Sequence, residues 1–218
     1  MLAIDLLKNI SQTIEFESKE VDDKLIGAIL FLSNQCISAG ELHEWEFIVV
    51  KDKRKKEELY EASLRQMWIK SAPVVIAVCL DKERVVRKYG KKGLKYGEQD
   101  ISFVAYSIVL AANSLELGSY LVQAFNEEKV KEILNLPDNL EPRFLICIGY
   151  PKVKREKQRY DIDSITWIDE YGKKYDFSFL FKPGAPEKEI TLEDVLKGFL
   201  EKKESWVDKI KRLFRKKD

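Results

Sequence analysis

Apolar side chains at Ile101, Val104, Ala105, Ile108, Ala111, Ala112 and Leu115 recur at spacings of three and four, and Phe103, Val109 and Leu110 fill the other faces. That pattern predicts a long, buried, central helix. Gly118 follows as its stop, with a short strand behind it. A second stripe, Val21, Leu25, Ala28, Ile29 and Leu32, has Asp22 and Asp23 where a first turn favours negative charge, and predicts another helix. The runs 47–50, 74–80 and 144–148 are nearly unbroken, branched and apolar, as strands covered on both faces are, and are expected in the middle of one sheet. Residues 53–69 read as one polar-faced helix, Pro73 precedes the second strand, and 126–134 reads as a helix ending before Pro137. Helices therefore surround a small sheet, without an internal repeat.

Beyond Arg159 the compact pattern ends. Residues 165–168 read as a strand, 170–173 as a turn, 177–181 as an apolar run and 182–186 as a hinge. Thr191 with Asp194, then Ser205 with Asp208, mark two helix starts, the second lined by Trp206, Ile210, Leu213 and Phe214. Residues 205–218 hold six cations against two carboxylates. This basic, amphipathic end suits packing on the domain or a dimer partner, docking on another protein, or lying on an anionic membrane surface.

A chain of 218 residues with 45% hydrophobic content can bury one sizeable core, and no linker divides it, so one domain with a tail is expected. The absence of a long apolar run and of a leader pattern places it in the cytosol, neither spanning a membrane nor secreted. Cys36, Cys79 and Cys147 lie far apart beside apolar residues and read as small buried hydrophobes, not as zinc or redox pairs. Basic and acidic residues number 38 and 37, interleaved, which argues against a nucleic-acid partner, and the Lys/Glu density is thermophile-like.

Four segments carry a family likeness. Residues 96–125 hold Gln99-Asp100, Ala111-Ala112 and Leu117-Gly118-Ser119 in succession; 38–50, 142–151 and 16–32 accompany them in the same order. Together they resemble the nitroreductase-like flavoprotein family over roughly residues 5–160. The resemblance implies an α+β fold, a mostly antiparallel central sheet surrounded by helices, in an intertwined homodimer with active sites between subunits. It divides the chain into a flavoprotein core at 1–160, an extension wrapping the partner at 161–190 and an amphipathic helical tail at 191–218.

A flavin site needs cations at the phosphate, a backbone donor near N5 and positive charge near N1. In this family a basic arm serves the first and last needs, yet the matching stretch 10–16 holds Ile10 and Ile14 where cations are expected. Ser11 and Gln12 remain for hydrogen bonds to ribityl or phosphate, and Lys157 and Arg159, with Lys154 and Arg155 assisting, are the cations the resemblance carries over. Ser38 is kept in the ring-side loop, whereas Glu41 and His43 replace the family's amides; Gln123 and Ala124 fall beside N5 and O4. His43, the only histidine, reads as a polar loop residue, and neither a metal ligand set nor a catalytic nucleophile is visible. The implied activity is that of an FMN-dependent oxidoreductase, passing hydride from NAD(P)H to an electron-poor small molecule. The alternative is a non-catalytic nitroreductase-fold binding or regulatory dimer that has lost or weakened FMN binding.

Overall fold

A computed structural model describes residues 3–156 and 161–176. The chain divides into two compact units, Met1–Lys157 and Gln158–Asp218.

The first unit's main sheet includes β2 (Trp45–Val50), β3 (Val74–Asp81) and β5 (Leu140–Gly149), preceded in the chain by β1 (Thr13–Phe16). With β4 (Gly118–Val122) they form a four-stranded antiparallel sheet ordered β2-β3-β5-β4, while β1 pairs antiparallel with β6 (Pro151–Lys154). Successive β3 residues point to opposite faces, and each face is covered. Val74, Ile76, Val78 and Leu80 pack against α2 (Asp23–Ser33), α5 (Lys82–Tyr89) and α6 (Gly93–Ser114). Val75, Ala77 and Cys79 pack against α3 (Lys53–Ala62), α4 (Met67–Ser71) and α7 (Glu127–Leu134). Double coverage is why the strand sequences show no polar alternation. Burial pushes the Cys79 thiol up to about 12 and the Cys147 thiol upward too, leaving both unreactive in the core.

Several expectations need correction. The strand at 45–50 lies at the sheet's edge, not in its middle, with Val49 38% exposed, because only β3 pairs with it. The helix expected over 53–69 is two helices. Leu64 and Arg65 adopt left-handed φ of 54° and 55°, a corner that returns Ile69 to the same buried face as Leu59. Gly118 does not stop the long helix; Glu116, at φ 62°, makes that turn, and Gly118 opens β4. Leu32, read above as part of a packed stripe, and Phe103, read as filling another face of a buried helix, are half exposed, because the sheet takes only one side of each helix. Two helices carried no clear stripe: α1 (Ala3–Asn9) and α5, the latter capped where Asp81 accepts from the Arg84 N–H.

In the second unit, the stretch read as a strand forms an isolated bridge, Trp167 to Lys174, closed by a turn with Gly172 at φ 95°. Lys174 Nζ sits 4.0 Å over the Trp167 ring. The apolar run 177–181, the hinge 182–186 and the later helices lie outside the described residues. No helix among the described residues is long and apolar enough to cross a membrane.

Candidate active site

The first part of the site is the loop 38–43 between α2 and β2. Gly40, Glu41 and His43 all take left-handed φ, 59°, 53° and 50°, a conformation that has to be held from outside. The Ser38 hydroxyl accepts from the His43 N–H at 3.0 Å, folding the loop on itself. Helix α5 then secures its carbonyls: Arg84 Nη1 donates to His43 O at 2.6 Å, Tyr89 Oη to Ala39 O at 3.1 Å, and Lys88 Nζ to Gly40 O. From α6, Asp100 accepts the Ala39 N–H at 2.7 Å. Gly40 leaves room for the ends of Tyr89 and Lys88, since a Cβ there would fall 2.2 Å from Tyr89 Oη and push these side chains from the loop. His43 makes a 3.4 Å contact with Glu41 and lies 5.0 Å, ring to ring, from Trp45, as a loop residue does.

The second part is the arm 10–16. Gln12 bridges Ser119 in parallel, and its Oε1 accepts from the Leu121 N–H at 2.8 Å, so the arm docks along the free edge of β4. On its other side the Gln12 carbonyl accepts from the Arg155 N–H at 2.7 Å, and Thr13 faces Lys154 across the β1–β6 pair. The chain beyond β4 turns at Gln123 and Ala124, both exposed, with Ala124 O held by Gln66 Nε2 at 2.8 Å. Sequence-expected Ser11, Gln12, Gln123 and Ala124 thus lie along one strand edge. Lys157 and Arg159 lie outside the described residues. Lys154 and Arg155 are exposed beside the arm, and neither forms an ion pair among the described residues.

Ile10, where the arm lacks a cation, packs against the core instead, and Ile14 is 36% exposed. The residues present still suit a phosphate-bearing cofactor, because the β1–β6 pairing brings two cations to the backbone of the arm itself. Ser11 and Gln12 supply polar side chains there.

Ser38 is not part of that group within one chain. Asp100, which holds its loop, and Asn113, which donates to Ser119 Oγ on β4, lie on α6 about 20 Å apart along the helix axis.

Three residues that hold the loop, Arg84, Lys88 and Tyr89, were passed over by sequence reasoning; Asp100 was seen only as part of a family mark, and Glu44, which read as an exposed carboxylate beside His43, is buried. Asp100 had a signal, as a carboxylate in the first turns of an otherwise apolar helix. Glu44 is fully buried at the start of β2, and burial, with the Asp100 carboxyl adding, pushes it up to about 7. Among the described residues no cluster of metal-ligating side chains occurs.

Comparison with known proteins agrees with this geometry. The family model described as the nitroreductase family matches residues 64–150. A Methanocaldococcus jannaschii relative, named "Putative nitroreductase", is 35% identical over 100 residues, 46% of this chain, and the chain spans 50% of that relative's length. An Archaeoglobus fulgidus relative, named "Putative NADH dehydrogenase/NAD(P)H nitroreductase", is 31% identical over 152 residues, 68% of this chain and 83% of its own. The solved structure of a nitroreductase family protein from Streptococcus pneumoniae superposes with a TM-score of 0.67 at 26% identity, covering 75% of this chain and 98% of that one. Sequence, strand order and helix placement converge: the chain belongs to the nitroreductase family and is an oxidoreductase of that fold.

Proposed function

We propose that the protein binds FMN along the arm and the β4 edge and uses it to pass hydride from NAD(P)H to an electron-poor small molecule. The observation that carries the reading is the docking of Gln12 on Leu121, which sets Ser11 and Gln12 beside Lys154 and Arg155 and on the same edge as Gln123 and Ala124. FMN, when bound, supplies the hydride relay. The chain's own residues contribute charge and hydrogen bonds at the phosphate and ribityl, and backbone N–H groups at 123–124. Lys157 and Arg159 follow Lys154 and Arg155 closely in sequence and extend the same basic run. The nicotinamide donor is supported by the name of the Archaeoglobus relative.

A second copy of the chain completes the site in this reading. Asp100 under the Ser38 loop and Asn113 at the β4 edge stand about 20 Å apart along α6, and α2 and α6 expose Phe31, Phe103 and Tyr106 at 69%, 52% and 46%, as surfaces covered by a partner do. The homodimer thus places one copy's loop over the other copy's arm.

The test is FMN titration of the dialysed protein followed by visible absorption, with anaerobic NADH or NADPH added next. Bound flavin bands that bleach on addition of the donor are expected. Ile14→Arg, restoring a cation at a solvent-facing position, should tighten FMN binding by about tenfold, the scale of one charge-assisted hydrogen bond. No binding by either protein at excess FMN overturns the proposal in favour of a flavin-free scaffold.

A further inference from the structure

Glu44 and Asp100 are the only carboxyl side chains buried among the described residues, at 0% and 5% exposure. Neither oxygen of Glu44 receives an N–H or O–H from another described residue. Its carboxyl instead lies against that of Asp100, whose Oδ2 already accepts the Ala39 N–H at 2.7 Å. Two carboxylates this close, one without any solvent, are not both ionised unless a cation pairs with them. Arg84, the cation that acts on Glu44 from α5, directs its guanidinium to His43 O, Glu46 and Asp81. The other polar groups around the loop are Tyr89 and Lys88 on α5, which hold carbonyls, and Glu41 and His43, which contact each other.

We propose that Glu44 and Asp100 hold one proton between them, and that this O–H···O bridge is the positioning element that fixes the 38–43 loop and presents Ser38 to the reaction site. The assignment of a site role to Ser38 rests on the functional reading above; the bridge itself does not. With the shared proton in place, Asp100 keeps one oxygen for Ala39 while Glu44 stays neutral. When the proton leaves, two anions face each other in a dry pocket, and the Asp100 carboxylate is driven from its place under Ala39. Burial holds Glu44 protonated far above the ordinary 4.5, to about 7. A raised carboxyl stabilises the folded loop fully below its unfolded value, and that contribution disappears as pH rises through the folded one. The loop is therefore tied at acid pH and released above neutrality.

The test uses the full chain without flavin. Hydrogen exchange of the Ala39 amide is followed by NMR from about pH 5.5 to 8.5, normalised to the intrinsic exchange rate, in the wild type, Glu44→Gln and His43→Gln. Wild-type protection should fall by about tenfold across neutrality, the scale of a one-unit protonation linkage. Glu44→Gln, whose amide donates to Asp100 at every pH, should give a flat profile. His43→Gln removes the loop's imidazole while leaving the Glu44–Asp100 pair intact and should keep the wild-type profile. An infrared band of a protonated buried carboxyl should vanish in parallel in the wild type, which decides the matter even if Glu44→Gln fails to fold. A flat wild-type profile, or one that Glu44→Gln leaves unchanged, overturns the bridge. Because no flavin is present, failure of FMN binding leaves this result standing, and loss of the bridge leaves FMN binding to be judged separately.

Discussion

At Gly118 a Cβ would fall 2.3 Å from Thr13 Oγ1 and 2.9 Å from Pro151 Cβ, so the glycine is required by the close approach of arm, β4 and β6 and not by its dihedral angles. Thr13 is itself fully buried with a hydroxyl that meets no partner among the described residues, which leaves no slack for a rearrangement there. Gly118→Ala should destabilise the fold by about 1–3 kcal/mol, the range for overpacking. Urea denaturation measures it, and a Thr13→Ala change in the same chain should recover most of the loss, since the two sites share one volume. An additive double variant would show that the clash is not the cause. The same residue separates this chain's chemistry from its sequence: Leu117-Gly118-Ser119 was legible as a family mark, while the reason for the glycine required Thr13, more than a hundred residues away, to be seen opposite it.

Among the elements, Arg143 ties three together. It reaches from β5 to Glu127 on α7 at 2.8 Å and Glu98 on α6 at 2.7 Å, and pairs with Glu141 on its own strand. Its side chain is 20% exposed, which puts the cluster between a surface pair and a buried one. Arg143→Ala should cost about 1–3 kcal/mol, mainly by taking the shared cation from Glu98 and Glu127, while Glu141 keeps its pair with Lys82. The loss measured by urea denaturation should shrink in high salt, and a salt-independent loss would point to packing instead. Elements like these were legible to different degrees. The runs at 74–80 and 144–148 suited strands buried on both faces, and they are β3 and β5. The break after Ala62 was invisible, because two left-handed residues, Leu64 and Arg65, carry no glycine to announce it. Helix α5 escaped notice because its packed face is only Val85 and Tyr89, with Val86 exposed, yet its polar side chains hold the loop in place. Loop geometry of this kind depends on contacts 41 to 61 residues apart, which no local pattern reports.

For the whole molecule, the decisive fact is that α6 faces two environments. Ile101, Val104, Ala105 and Ile108 are fully buried on the sheet, while Phe103 and Tyr106, three residues apart on the opposite side, stand about half exposed. A lone chain gains nothing from aromatic side chains in water, and α2 beside it adds Phe31 and Leu32 at 69% and 47% exposure. If a second copy covers this surface, one substitution there acts on assembly and on the site while sparing the folded chain. Phe103→Glu should leave far-ultraviolet circular dichroism unchanged, since the side chain makes no part of the buried core. Sedimentation should show the dimer replaced by monomer, because burying an unpaired carboxylate at the centre of an interface costs several kcal/mol. FMN affinity should fall with it by tenfold or more, as each arm loses the Ser38 loop of the other copy. A monomeric variant that bound FMN as tightly as the wild type would place the whole flavin site within one chain, and the aromatic face of α6 would then serve assembly alone.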